Sequence, residues 1–341
     1  MLRAGLVAAA LAAALVPLDP ARVERWYSNG VYPRLQAVVT TLTNRIPVSL
    51  LDVAVGIGIV GGAFVLVRRT GALGFRRALV RATLFLIPCL AFLYLVFLLM
   101  WGLNYRRLPL DRKLDYDRSR VTRSAAVTLA SQAAAAMNAG FSDARGLRWD
   151  ARALDASFAR VQRLLGATRS AVPGVPKRSL LSFYFRRAAI DGMTDPFFLE
   201  IIVNRDLLEV ERPFVVAHEW AHLAGYADES EANFVAWVTC LGGDALARYS
   251  GWVSAYEYAM RPLPPADRAG VTALAPGPRE DLRAMAARYA QSSPVVREAA
   301  NGVYDGYLRA NRVEDGIASY DAVLRLMLGT HLGPEWTAVV Q

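Results

Sequence analysis

Residues 217–234 read Ala217-His218-Glu219-Trp220-Ala221-His222-Leu223-Ala224-Gly225-Tyr226-Ala227-Asp228-Glu229-Ser230-Glu231-Ala232-Asn233-Phe234. They contain His-Glu-x-x-His. On a helix, residues four apart share a face, so both imidazoles can hold one metal ion. Glu219 then lies beside the metal's open position, where it can take a proton from a water. The chain has 341 residues and only three histidines. At that frequency the pattern arises by chance about once in a thousand chains. The apolar flanks Phe214, Val215, Val216, Trp220 and Leu223 suit a buried helix that carries a site.

A zinc site needs a third protein ligand, and the acids just downstream compete for it. Gly225 lets the helix stop and the chain turn back. Glu229 falls in the first turn of the next helix, with Asn233 on the same face. An amide there can hydrogen-bond the far nitrogen of a ligating histidine and fix its tautomer. Glu231 shares a face with Val235 and Val238, which read as core. Asp228 sits where some zinc peptidases place a ligand in an extended segment, and it also suits an N-cap. Glu229 is the preferred third ligand, with Glu231 and Asp228 as alternatives.

Around this stretch the chain reads as mainly helical. Helices are expected at 124–138, 149–165, from Pro213 to Leu223, and from Glu229 until Gly242-Gly243 stops it. A final set is expected at 279–291, 295–312 and 315–328. Short strands are expected at 180–185 and 197–203, both rich in Leu, Phe, Ile and Val. The second could be a free edge that holds an extended peptide, or a plain core strand.

Further outward, the apolar residues concentrate before residue 105. The run 4–18 is short for a span and reads as an N-terminal anchor in preference to a signal peptide core. The run 46–67, with Gly56, Gly58, Gly61 and Gly62, suits close packing in lipid. The run 82–103 ends in Tyr94, Trp101 and Tyr105, an aromatic belt, and holds Pro88. The loop 68–81 has five Arg and no acid, which places it in the cytoplasm by the positive-inside rule. Everything after Tyr105 is then extracytoplasmic, although Arg106, Arg107, Arg112 and Lys113 just past the third run argue the other way. The expected division is a membrane region at 1–105 and a catalytic domain at 106–341.

Composition agrees with this division. Hydrophobic residues make up 54% of the chain and charged ones 20%, against roughly 45–50% and about 25% in ordinary soluble domains. This excludes a disordered or low-complexity chain. The two cysteines, Cys89 and Cys240, exclude a disulfide framework and a cysteine zinc module. The formal charge of +9 is densest in the short membrane loop and otherwise mixed with acids. Nucleic-acid binding would need a clustered basic face with aromatics, so no nucleic-acid partner is expected. His331, Tyr226, Tyr249 and Tyr320 are candidate oxyanion donors among which sequence does not choose.

The segment Glu229-Ser230-Glu231-Ala232-Asn233 resembles the third-ligand helix of gluzincin-type metallopeptidases. More of the chain resembles a bacterial membrane family of unknown function, DUF3810. The resemblance rests on Trp101-Gly102-Leu103-Asn104-Tyr105, Pro196-Phe197, the His-Glu-x-x-His, Glu229 to Phe234, and Gly316-Ile317-Ala318-Ser319-Tyr320. It implies a multi-pass protein of the bacterial cytoplasmic membrane with a zincin-like domain. Together these readings lead to the expectation of a zinc-dependent metallopeptidase acting on a peptide or protein. Zn2+ would be held by His218, His222 and Glu229, with Glu219 as general base. The other expectations kept open are a binding or scaffold protein with a closed zinc site, in which Glu231 would be a fourth ligand, and a zinc hydrolase of a non-peptide envelope substrate.

Overall fold

A bilayer core of about 30 Å takes about 20 helical residues to cross. The computed structural model describes residues 2–73, 75–311 and 320–333. The first apolar run forms α1 (Leu2–Leu15), whose 14 residues rise only about 21 Å. Pro17 and Pro20 follow it. After a bend of 108° the chain continues through α2 (Pro20–Arg22), a π-helical stretch (Val23–Val31) and α3 (Tyr32–Thr43). The other two runs form α4 (Leu50–Leu73) and α5 (Phe75–Met100), of 24 and 26 residues, about 36 and 39 Å long. Among the described residues two helices, against the three spans expected, are therefore long and apolar enough to cross a membrane on their own, and the bent pair from Arg3 to Thr43 adds a third only if it is read as one span. α4 and α5 pack together as a hairpin, and α5 continues through Pro88. Beyond Trp101 the chain tightens into a 3-10 turn (Gly102–Arg106). A Cβ at Gly102 would lie 2.3 Å from the Phe97 ring, so this turn needs glycine.

The remaining residues form a mainly helical body. Its first part is α6 (Arg123–Ala144), α7 (Arg152–Leu164), α8 (Ser182–Ala188), β1 (Gly192–Asp195) and β2 (Glu200–Val203). Then follow α9 (Arg212–Leu223), α10 (Glu229–Leu241), α11 (Ala245–Met260), α12 (Pro265–Arg268), α13 (Pro276–Tyr289), α14 (Pro294–Ala310) and α15 (Tyr320–Gly329). From Ser230 onward every residue of α10 is buried, as a helix apolar on all sides must be. It packs against α9, α11, α15 and α7. The expected helix 315–328 is described only from Tyr320. Gly316, Ile317, Ala318 and Ser319 lie outside the described residues.

Two strand expectations change. Residues 180–185 enter α8, because Ser182 N–H bonds back to the Ser179 carbonyl and starts a helical turn. A short apolar run does not distinguish strand from helix. Within 197–203 only Glu200–Val203 is extended. Phe197 and Phe198 turn instead, both donating N–H to the Asp195 carboxylate, an Asx turn. β2 pairs antiparallel with β1 on one side and meets Lys177 on the other. It is therefore interior, and β1 is the edge.

The stretch Pro20–Thr43 joins this body. Tyr32 Oη donates to the Leu223 carbonyl at 2.8 Å, and Thr40 Oγ1 to the Leu199 carbonyl at 2.8 Å. Gln36 exchanges two hydrogen bonds with the backbone of Val172. Glu24, buried, binds Arg107 through both carboxylate oxygens at 2.9 Å and Lys113 at 2.8 Å. The core thus extends to residues on both sides of the α4–α5 hairpin, a continuity that a division at residue 105 does not anticipate. Further, Glu200 forms a buried pair with Lys177 and accepts from Ser49 Oγ and Leu51 N–H. That contact clamps the start of α4 to the body.

Candidate metal site

Pro213 sits in the first turn of α9, where its missing N–H costs nothing. The helix ends in a Schellman motif. Tyr226 N–H reaches the Ala221 carbonyl and Gly225 N–H the His222 carbonyl. Gly225 has φ +85°, and a Cβ there would meet Asn104 Oδ1 at 2.8 Å. This turn places the Tyr226 carbonyl 2.7 Å from His222 Nδ1. A carbonyl only accepts, so Nδ1 carries the proton and the Nε2 lone pair faces the site. The chain then starts α10, capped by Asp228, whose carboxylate accepts from Ser230 N–H and Glu231 N–H. Glu229 follows at once and points back at α9.

His218, His222 and Glu229 converge. The two Nε2 atoms are 3.0 Å apart, and the Glu229 oxygens lie 3.3 Å from His218 Nε2 and 3.4 Å from His222 Nε2. Metal–ligand bonds of about 2.0–2.1 Å in a tetrahedron separate ligand atoms by about 3.3–3.4 Å. Two imidazoles and a carboxylate are donors that zinc accepts, and one ligand atom from each lies within 4.8 Å of the others. Among the described residues this is the one group of three or more His, Cys, Asp or Glu whose ligand atoms meet this closely. Burial works against charge on Glu229, but His222 and His218 outweigh it and hold the carboxyl well below its usual range. Burial likewise opposes charge on His222, yet Glu229 raises it to about 9. The cluster attracts positive charge, which a proton or a metal can supply.

Glu219, almost wholly buried, is raised by desolvation against the lowering effect of the two histidines and Thr194. Thr194 of β1 donates its hydroxyl to Glu219 Oε2 at 2.7 Å. Gly192 makes room for the other oxygen: a Cβ there would meet Glu219 Oε1 at 2.4 Å. The edge strand is thus packed on the Glu219 side chain. The alternative ligands lie elsewhere. Asp228 is the cap, and Glu231 accepts the Leu110 N–H at 2.6 Å, with burial pushing it up to about 7 despite Arg107. Asn233 is buried but bonds neither ring. Tyr226 O serves His222, and His218 Nδ1 is buried with no partner among the described residues.

Several contacts come from residues that the sequence does not place at this site: Tyr304 and Tyr307 are not singled out, and Trp101 and Tyr105 read only as a belt and a family motif. Tyr304 of α14 donates its hydroxyl to Glu229 Oε1. Tyr307 stacks against Tyr304 and edge-on against Tyr105. Trp101, the first residue after α5, donates Nε1–H to the His222 carbonyl at 2.8 Å. Its ring stands edge-on to His222, 6.1 Å away. The oxyanion candidates are dispersed. The Arg107 guanidinium lies over the Tyr226 ring, Tyr249 Oη donates to Asp281, and His331 lies beside Arg120. The Tyr320 side chain lies outside what the structure describes. Only helical i,i+4 spacing was available from sequence; Thr194 and Tyr304 arrive through folding.

Comparison with known proteins gives one result. The family model described as "Protein of unknown function (DUF3810)" matches residues 27–328. No curated protein and no solved structure matches the chain.

Proposed function

The chain belongs to the DUF3810 family, and we propose that it is a membrane-anchored, zinc-dependent metallopeptidase with a zincin-like body. The observation that carries this reading is the convergence of His218, His222 and Glu229, whose ligand atoms lie within 4.8 Å of one another, with Glu219 beside them. Zinc, when bound, polarises a carbonyl and acidifies a water. His218 and His222 would hold it through their imidazoles, and Glu229 through its carboxylate. Tyr226 O and Trp101 Nε1–H fix the His222 ring and backbone. Glu219, steadied by Thr194, takes the proton of the attacking water and delivers it to the leaving amine. The backbone edge of β1 is placed to pair with an extended peptide. Use of Glu231 at Leu110 N–H leaves three converging donors, which supports an open catalytic site over a closed structural one.

We also propose that the body is extracytoplasmic in a bacterial cytoplasmic membrane. Residues before α4 and after α5 share one core, so they lie on one side of the bilayer, and the Arg-rich ends of α4 and α5 at 68–73 and 75–81, which the sequence reads as a loop, lie on the other. By the positive-inside rule that end of the hairpin is cytoplasmic. The basic cluster after α5 is largely engaged: Arg107 and Lys113 hold Glu24, and Arg106 donates to the Ala13 carbonyl. The test of activity is hydrolysis of a peptide library by the full chain in lipid. Wild type should cleave members that Glu219→Gln does not, at equal zinc content. Cleavage that survives Glu219→Gln sinks the mechanism.

A further inference from the structure

The stretch Pro20–Thr43 carries two opposite faces. One is bonded to the body through Tyr32, Gln36 and Thr40. The other exposes Trp26, Val31, Val38 and Leu42, each more than half exposed. Arg22, Arg25, Arg34 and Arg45 are exposed along the same face. These positions recur every few residues, so they form one stripe. Large apolar residues with Trp and Arg, turned away from a face already buried against the body through Val23, Tyr27, Tyr32 and Gln36, are the composition of an interfacial helix.

Position agrees with composition. α1 packs along α5, with Arg3 over the Phe85 ring, so it shares the direction of the span. The 108° bend then lays Pro20–Thr43 across that direction. One end joins α1 and the other joins α4, so both ends sit where apolar helices leave the bilayer. A second patch adjoins the start of α4. Asp52, in the first turn of α4, accepts the Leu180 N–H at 2.6 Å and the Ser179 hydroxyl at 2.7 Å. Leu180 is 90% exposed and Phe183 67%, with exposed Arg178 and Arg187 beside them. Asn44, just after α3, ties to Pro173 and Val175 of the loop leading to this patch.

We propose that the outer face of Pro20–Thr43, together with the Leu180–Phe183 patch, is a docking surface for an anionic lipid bilayer. It extends the lipid-facing surface of α4 and α5 onto the body. Trp26, Val38, Leu42, Leu180 and Phe183 enter the headgroup–acyl boundary. The arginines meet lipid phosphates. The contacts of Glu200 and Asp52 clamp the start of α4 to the body, and this surface seats the clamped body flat. The inference depends on α4 and α5 as membrane helices and not on the metal.

The test uses the full chain in vesicles of phosphatidylcholine and phosphatidylglycerol, with and without acyl chains brominated near the headgroup. The background is Cys89→Ser, since Cys240 is fully buried. A bimane is attached at Val38→Cys, Leu180→Cys or, as a control on the body, Leu147→Cys. Bromolipid should quench the first two severalfold more than the control, and aqueous iodide should show the reverse order. Equal quenching at all three sites overturns the proposal. Protection of Val38→Cys and Leu180→Cys from both bromolipid and iodide also overturns it, because the face is then covered by protein.

Discussion

Tyr304 reaches Glu229 from 75 residues away in sequence, and Thr194 reaches Glu219 from 25. No local period could have exposed them. His218, Glu219 and His222 were legible because helical spacing alone sets their shared face. Glu229 was legible because Gly225 ends one helix and Asp228 caps the next. In the proposed site Tyr304 would steady the Glu229 ligand, and losing such a contact typically weakens metal affinity about 10–100-fold. Tyr304→Phe should therefore raise the zinc dissociation constant by about tenfold in a competition titration, with the fold unchanged by circular dichroism. Glu24 was not singled out at all, yet it neutralises Arg107 and Lys113 in the core. Burial raises its pKa, but these two cations outweigh that and hold it down at about 2. Burial with Arg107 beside it lowers Lys113, so the Arg107 pair is the stronger half. A carboxyl with a depressed folded pKa contributes stability above its unfolded value of about 4.5, lost as pH falls toward 2. Glu24→Gln should cost about 3–5 kcal/mol at neutral pH. Its gap from wild type in denaturant titrations should narrow between pH 4.5 and 2; a gap constant over that range contradicts the assignment.

Among the elements, the helices were legible where polar caps and glycine stops frame an apolar period, as in α9 and α10. The π-helical stretch with α3 was not, because both of its faces mix polar and apolar residues: Glu24, Ser28 and Gln36 are buried beside Val23, Tyr27 and Tyr32, and Trp26, Val38 and Leu42 are exposed beside arginines. Nor was α11, which starts at Asp244 directly after the Gly242-Gly243 stop. β1 was missed because Gly192-Met193-Thr194-Asp195 has no strand-like period, and its partner and α9 hold it extended. It matters because Gly192 and Thr194 both shape Glu219. Gly192→Ala would push a methyl into the Glu219 carboxylate, and displacement of a catalytic group by about 1 Å costs about 100-fold in rate. The expected outcome is a fall in turnover of that order with zinc content preserved. Unchanged turnover would show that β1 does not constrain Glu219.

In the whole molecule, two apolar helices leave from one body, and the compositional boundary near residue 105 hides a core shared across them. Hydropathy reports what lipid solvates. It is silent on Tyr27, Tyr32 and Gln36, which bury against residues far downstream. Shared packing fixes the sidedness of both segments at once. Protease added to spheroplasts should cleave exposed loops of the body, such as 269–275 between α12 and α13, while a tag inserted between α4 and α5 stays protected. The reverse pattern would place the body in the cytoplasm. The most direct test of the central claim is X-ray absorption at the zinc edge on the purified full chain, alongside metal quantification. The account predicts one zinc per chain with two imidazoles, one carboxylate and one water oxygen, all lost in Glu229→Gln. Protein without stoichiometric metal, or zinc closed by four protein ligands, would contradict it.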